Sequence, residues 1–145
     1  MNTIKTLRSK VMTIANRLVK NGLPRRIAMI KAWGIAKHSD IDTKVKGVTV
    51  GRRQTALDHL RRYAASDIAI TLERESGNAA DSNAVAVIAT VKGKGSYQVG
   101  YLPRYIAAVV APLMDASKAV TAAFQEVRGG ERTKPNFGLA IGITI

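Results

Sequence analysis

The 145-residue sequence has no cysteine, few aromatic residues, and only 10 Asp and Glu against 23 Lys and Arg. The absence of cysteine excludes disulfide bonds and thiolate metal sites, and it suits a reducing compartment. No apolar run approaches the ~20 residues that a membrane-spanning helix needs. The N-terminus also lacks the continuous apolar core of a signal peptide. We therefore expect a cytoplasmic protein without membrane association.

Residues that could support catalysis are scarce. The two histidines, His38 and His59, have no second ligand at metal-binding spacing. "GKGS" (93–96) lacks the glycine spacing and the following helix of a phosphate-binding loop. The densest acidic set comprises three carboxylates: Glu73, Glu75 and Asp81. The sequence predicts no enzyme, no cofactor and no metal; the enzymatic alternative is a nuclease, which would need these carboxylates to converge on metal ions.

The basic excess is concentrated in the N-terminal third of the chain. Residues 1–46 hold 11 of the 23 Lys and Arg residues but only 2 of the 10 Asp and Glu residues. With a net charge of +13, the chain should attract polyanions, above all the phosphates of nucleic acid. Charge alone leaves two interpretations open, a nucleic-acid-binding protein and a basic protein with no such partner.

Residues 1–38 predict a basic helical hairpin. The first helix, over 2–20, carries apolar side chains at spacings of three and four: Ile4, Leu7, Val11, Ile14 and Leu18. Asn21-Gly22 is typical of a helix end, and Pro24 of the first turn of the next helix. That second helix runs to about Lys37, with the apolar residues Ile27, Ile30 and Trp33. The hairpin is interpreted either as a helix-turn-helix or as an extension that packs on the main domain.

The remainder of the chain predicts a small β-domain. Residues 39–46 are polar and are interpreted as a linker. Alternating or apolar runs predict strands at 44–50, 67–74, 84–91, 97–102, 119–127 and 137–145, and helices at 52–65 and after Pro103. Short connections without regular strand–helix alternation argue against a doubly wound parallel sheet. We expect an α+β, mainly β fold: over 47–145, a barrel of about six strands with two helices, preceded by the hairpin.

Four ordered motifs resemble the HIRAN domain family: "GVTVGRRQTAL", "LERESGNAADSNAVAV", "QVGYLPRYIAAVVAPLMD" and "GG…FGLAIGITI". The resemblance covers about Lys44 to Ile145. It implies an OB-like or SH3-like barrel with helices. By similarity to the version found in repair helicases, it implies binding of single-stranded DNA and capture of its 3′-hydroxyl end. The family also includes stand-alone bacterial and phage proteins, so the expected role is in DNA repair, replication or phage DNA metabolism, in the cytoplasm of a bacterial cell.

The resemblance implies a set of site residues, position by position. The loop of the family resembles R-x-P-x-N-P-Y-D-x-N-A, and five positions match it: Arg74, Asn78, Asp81, Asn83 and Ala84. Tyr101 matches the next motif, so Asn78, Asp81 and Tyr101 are expected to line the end-binding pocket. Ala79-Ala80 replaces the Pro-Tyr of the family, and Thr49-Val50 replaces aromatic residues of its first strand. The stacking platforms of the family are therefore missing at these positions.

Basic side chains near these motifs are candidate phosphate ligands: Arg52, Arg53 and Arg104, with Arg61 and Arg62 beside them. Gly77 and Asn83 are expected to hold the loop turn. Asp81 has a structural alternative as well, because Asx side chains accept hydrogen bonds from backbone N–H groups two residues on. Two functions stay open, a single-stranded-DNA-binding module and a protein-interaction adaptor that docks a helicase, a nuclease or a replication protein.

Overall fold

The computed structural model describes residues 3–145, and their side chains from Thr6 onward; the side chain of Ile4, expected on the apolar face of the first helix, lies outside the described residues. The chain begins with α1 (Thr3–Lys20) and α2 (Arg25–His38). α1 ends where Asn21 donates from Nδ2 to the carbonyl of Arg17 (2.8 Å) and Gly22 takes a φ of 107°. The predicted helical hairpin is confirmed.

The buried face of α1 is the predicted one, but that of α2 is not. Val11, Ile14 and Leu18 of α1 are buried. On α2 the large apolar residues noted in the sequence are exposed: Ile27, Ile30 and Trp33. The helix instead buries a stripe of mostly small side chains: Ala28, Ala32, Ile35 and Ala36. Alanines on the buried face let α1 and α2 approach closely.

Six strands form one antiparallel sheet in the order β1-β6-β5-β2-β3-β4. They are β1 (Asp40–Lys44), β2 (Ile68–Arg74), β3 (Val85–Val91), β4 (Gly95–Tyr101), β5 (Thr121–Arg128) and β6 (Gly138–Thr144). Beyond the end of β1, Lys46 exchanges both backbone hydrogen bonds with Tyr101 of β4 (2.7 and 2.9 Å). The first and last strands in the order therefore meet at this bridge, and the sheet curls into the expected barrel.

The start of the barrel corrects the sequence interpretation. The segment 39–46, expected to be a linker, contains β1, which pairs with β6 from Asp40↔Thr144 to Lys44↔Ala140. Ile41 and Val45 of this segment are buried on one face, Thr43 between them is half-buried, and Asp42 and Lys44 are exposed on the other face. The strand expected at 44–50 is wrong, because the chain turns after the bridge at Lys46.

Two further helices complete the barrel domain. α3 (Arg53–Leu60) buries Leu57 and Leu60, and α4 (Arg104–Asp115) buries six consecutive residues from Ile106 to Ala111. α1 packs on α4, and one continuous core holds buried residues of the hairpin, both of these helices and the sheet. This packing favours the interpretation of the hairpin as an extension lying on the main domain. Over residues 3–145, no helix combines the length and apolar character needed to cross a membrane.

Candidate nucleic-acid interface

The β2–β3 loop, residues 75–84, is a compact turn held by its own Asx side chains. Asn78 Oδ1 accepts hydrogen bonds from the N–H groups of Ala80 (2.9 Å) and Asp81 (3.1 Å). Asp81 Oδ1 accepts one from the N–H of Asn83 (2.9 Å). The base is closed by the Glu75 N–H, which donates to the carbonyl of Ala84 (2.9 Å). The structural role considered for Asp81 is therefore present, and Asn83 takes part in the turn through its backbone.

Arg104 lies against the tip of this loop. It is the first residue of α4, directly after Pro103, and it is exposed. Its Nη2 donates to the carbonyl of Ala80 (2.7 Å), and its Nε lies 3.9 Å from Asp81 Oδ2. The two oxygens of Asp81 thus have different surroundings: Oδ1 serves the turn and Oδ2 faces a guanidinium.

Tyr101 is connected to the loop through Glu75, which the family motif does not mark as a site residue. Its hydroxyl donates to Glu75 Oε1 (3.1 Å), and Asn78 Nδ2 donates to the same oxygen (3.3 Å). Glu75 is thereby the shared acceptor of two predicted site residues. The sequence indicates Glu75 only as a possible metal ligand. Its position at the loop base, three residues before Asn78, is the feature that could have indicated its contact with the site residues.

Arg53 stacks on the same tyrosine. Its guanidinium carbon lies 5.7 Å from the centroid of the Tyr101 ring, and its Nη1 donates to the carbonyl of Gly47 (2.8 Å). Gly47 has a φ of 73°, so glycine suits this turn. Arg53 therefore supports both the turn after β1 and the Tyr101 ring.

The other predicted arginines are not part of this cluster. Arg52 is exposed and lines a separate hollow between α3 and the β3–β4 hairpin. Arg61 and Arg62 both pair with Asp58 (2.8 and 3.0 Å). The hydrogen bond from Arg61 lowers the pKa of Asp58, and the charge of Arg62 acts in the same direction. Asp58 therefore neutralises part of the positive charge at the C-terminal end of α3.

A cleft of about 470 Å³ brings the loop tip together with the hairpin. It lies between the loop, α4 and the C-terminal end of α1, and its charged lining residues are Arg17, Lys20, Asp81 and Arg104. Asp81 is the one carboxylate among the described residues that line it. The cleft therefore combines three cations with a single carboxylate, which can accept a hydrogen bond from a hydroxyl group. Sequence reasoning missed Arg17 and Lys20 because they lie far from the loop motif in the chain.

The loop is also fixed at its base. Arg74 makes a two-pronged ion pair with Asp115 at the end of α4, with Nε–Oδ1 at 3.0 Å and Nη2–Oδ2 at 3.2 Å. Its Nη1 donates to the carbonyl of Ala84 (3.2 Å). The arginine that opens the loop motif therefore ties both ends of the loop to α4.

The three carboxylates that a nuclease would need to bring together have separate surroundings. Glu73 is exposed on β2, Glu75 accepts from Tyr101 and Asn78, and Asp81 bonds within its own turn. Among the residues from 3 to 145, no group of three or more His, Cys, Asp or Glu side chains is arranged to hold a metal ion.

The fold is thus a small antiparallel barrel with a polar Asx loop that lies beside basic helix ends. The model of the HIRAN domain family matches residues 39–141, and the chain belongs to this family. The resemblance predicted from the four motifs is confirmed. HIRAN domains are known in general as DNA-binding modules. The match begins at Ser39, so α1 and α2 lie outside it.

Two solved structures are similar to this chain. One is the crystal structure of the HIRAN domain of human HLTF, with 21% sequence identity and a TM-score of 0.46. The aligned region covers 73% of this chain and 74% of that chain. The crystal structure of a protein from Lactobacillus plantarum shares 24% identity, covers 73% of this chain and 99% of that chain, and has a TM-score of 0.42. No curated protein matches the chain.

Proposed function

We propose that this protein binds single-stranded DNA and holds the 3′-hydroxyl end of the strand in the cleft beside Asp81. The observation that carries this proposal is the surroundings of one carboxylate. Asp81 Oδ1 is used by the turn, whereas Oδ2 faces Arg104, and the residue lines a cleft whose other charged side chains are Arg17, Lys20 and Arg104. Asp81 retains 22% exposure of its side chain, so a ligand in the cleft can reach it.

The chemistry of a strand end fits this arrangement. A carboxylate accepts a hydrogen bond from a hydroxyl group but repels a phosphate. A free 3′-hydroxyl exists only at the end of a strand, because every internal 3′-oxygen is esterified. The acid therefore favours the end and disfavours the middle of a strand, while the surrounding cations attract the neighbouring phosphates.

The cations of the cleft have donors available for those phosphates. A guanidinium carries five N–H donors, and the carbonyl of Ala80 accepts a hydrogen bond from only one nitrogen of Arg104. Lys20 is exposed at the end of α1. Phosphate contacts position a strand without reading its bases, so we expect affinity without marked sequence preference. A role in DNA repair, replication or phage DNA metabolism, in the cytoplasm, is consistent with such a binder.

The decisive experiment compares strand ends. Binding of the full chain to fluorescent oligonucleotides of one sequence is measured with a 3′-hydroxyl and with a 3′-phosphate. We expect tighter binding of the hydroxyl form, because a terminal phosphate would approach Asp81. Equal affinity for the two would refute the end-binding part, and lack of binding to either at low salt would refute the whole proposal.

A second candidate function is a protein-interaction adaptor that docks a helicase, a nuclease or a replication protein. It is favoured by the outer face of α2, where Ile27, Ile30 and Trp33 are exposed, Ile30 to 65%. Such side chains are typical of contact surfaces when they cluster. Failure to bind nucleic acid, together with a stable complex that is lost in Ile30→Ala, would favour this alternative.

A further inference from the structure

A second concave site lies between α3 and the β3–β4 hairpin, and we call it the tyrosine hollow. It has a volume of about 300 Å³. Its floor is apolar, formed by Ala89, Val91 and Val99, and its lining includes Tyr63 and Tyr97. The two tyrosines are exposed to 38% and 44%. The hollow shares no described lining residue with the cleft beside Asp81.

A bulge in β4 places Tyr97 in this hollow. Tyr97 pairs with Ala89, whereas Tyr101 pairs with Ala86, and the register shifts between these pairs. Residues that pair across strands point to the same face, and Ala86 and Ala89 are three positions apart on β3. The bulge therefore sends Tyr97 and Tyr101 to opposite faces of β4, although they are four residues apart and would share a face in a regular strand.

The charges around the tyrosine hollow are basic. Arg52 and Lys94 line it, and none of its described lining residues is Asp or Glu. Arg52 precedes Arg53, which stacks on Tyr101. The hollow and the Asp81 cluster are thus connected through neighbouring arginines.

We propose that the tyrosine hollow binds an unpaired nucleobase of the DNA strand whose 3′ end lies beside Asp81. A base is a flat, weakly polar ring attached to an anionic backbone, which matches an apolar floor, two tyrosine rings and a basic rim. Tyr97 and Tyr63 supply the stacking that Ala80 does not supply in the loop, and Arg52 and Lys94 hold flanking phosphates. The identity of the strand rests on the proposed function above.

The experiment pairs a tyrosine variant with strands lacking single bases. A series of 3′-hydroxyl oligothymidylates carries one abasic site at successive positions from the 3′ end, and each is bound to the wild-type chain and to Tyr97→Ala. We expect one abasic position to weaken wild-type binding about 10-fold, in the range of one lost stacking contact. Tyr97→Ala should bind the intact strand about 10-fold more weakly and should not distinguish that abasic strand.

Three controls separate the hollow from folding and from end binding. Tyr97→Phe keeps the ring and should keep the wild-type response, and Tyr63→Ala should repeat the loss. Met12→Ala removes an exposed apolar side chain from α1 and should change nothing. If abasic strands and intact strands bind equally at every position, the hollow does not hold a base. If the base effect persists while 3′-hydroxyl and 3′-phosphate strands bind equally, the end-binding proposal fails and the hollow stands.

Discussion

At the scale of single residues, the two oxygens of Asp81 separate a structural role from the binding role that we propose. Oδ1 accepts the N–H of Asn83 and holds the turn, and Oδ2 faces Arg104 at 3.9 Å. A hydrogen bond in a turn needs only an acceptor, so an amide oxygen can replace Oδ1. Discrimination against phosphate needs the negative charge, which an amide lacks. The two tasks can therefore be separated by a single substitution.

We expect Asp81→Asn to lose the preference for a 3′-hydroxyl over a 3′-phosphate while the fold is kept. The amide retains the acceptor for Asn83, so the free energy of unfolding should change by less than about 1 kcal/mol. Affinity for 3′-phosphate strands should rise, because the repulsion is gone. The measurement is a binding titration with both strand types. Glu73→Gln, an equal charge change at an exposed position of β2, is the matched control. An unchanged preference in Asp81→Asn would contradict the assignment.

The loop residues were predictable from the sequence and their partners were not. Asn78, Asp81 and Tyr101 stand in recognisable motifs, and the structure brings them into one cluster. The face occupied by each tyrosine depends on the bulge in β4, which shifts the pairing of Tyr97. A bulge is a property of two paired strands, and the alternation within one strand does not reveal it.

At the scale of elements, the barrel closes at the bridge between Lys46 and Tyr101. Gly100, next to the bridge, lies so close to the turn after β1 that a Cβ atom there would be 2.2 Å from the carbonyl oxygen of Lys46 and 2.6 Å from a methyl group of Val45. The barrel therefore needs glycine at this position for a close approach of two backbones.

Gly100→Ala should destabilise the fold by about 3 kcal/mol or more, since the contact is with backbone and cannot be relieved by a side-chain rotation. Chemical denaturation measures this change. Gly138→Ala is the matched control in β6, where a Cβ atom meets nothing within 4 Å, and its effect should stay within about 1 kcal/mol. Equal stabilities of the two variants would show that the bridge does not constrain the barrel.

Local alternation predicted most strands but not the first. The runs that became β2 and β3 are clear in the sequence because apolar residues dominate them. β1 is largely polar, with Ile41 its one buried residue, and its partner β6 lies about a hundred residues away. Pairing over such a distance is decided by the closed sheet, so the segment resembles a linker when it is viewed alone.

At the scale of the whole molecule, the packing of α1 on α4 places two positively charged side chains of α1 in the cleft. Arg17 and Lys20 belong to the hairpin, outside the family match, and yet line the same cleft as Asp81. The charge distribution in the sequence predicted attraction to nucleic acid. It did not predict which lysines and arginines would lie near the loop, because that depends on how the helices pack.

Replacing both cleft cations of α1 should weaken the salt dependence of binding to single strands. In Arg17→Gln with Lys20→Gln, the slope of log K against log salt should become shallower by about 1.4, because each phosphate contact contributes about 0.7. The control is Arg26→Gln with Lys37→Gln, an equal charge change on exposed positions of α2, which should leave the slope nearly unchanged. Equal changes in both variants would indicate a diffuse effect of net charge instead of contacts in the cleft.

The two ends of α4 hold the β2–β3 loop at two separate points. Arg104 at its start bonds the carbonyl of Ala80 at the loop tip, and Asp115 at its end pairs with Arg74 at the loop base. A helix of 12 residues is about 18 Å long and nearly rigid. The helix therefore fixes the distance between the tip and the base of the loop. The conformational entropy of the loop is therefore lost when the protein folds, so the proposed binding of a strand beside Asp81 would not require ordering of the loop.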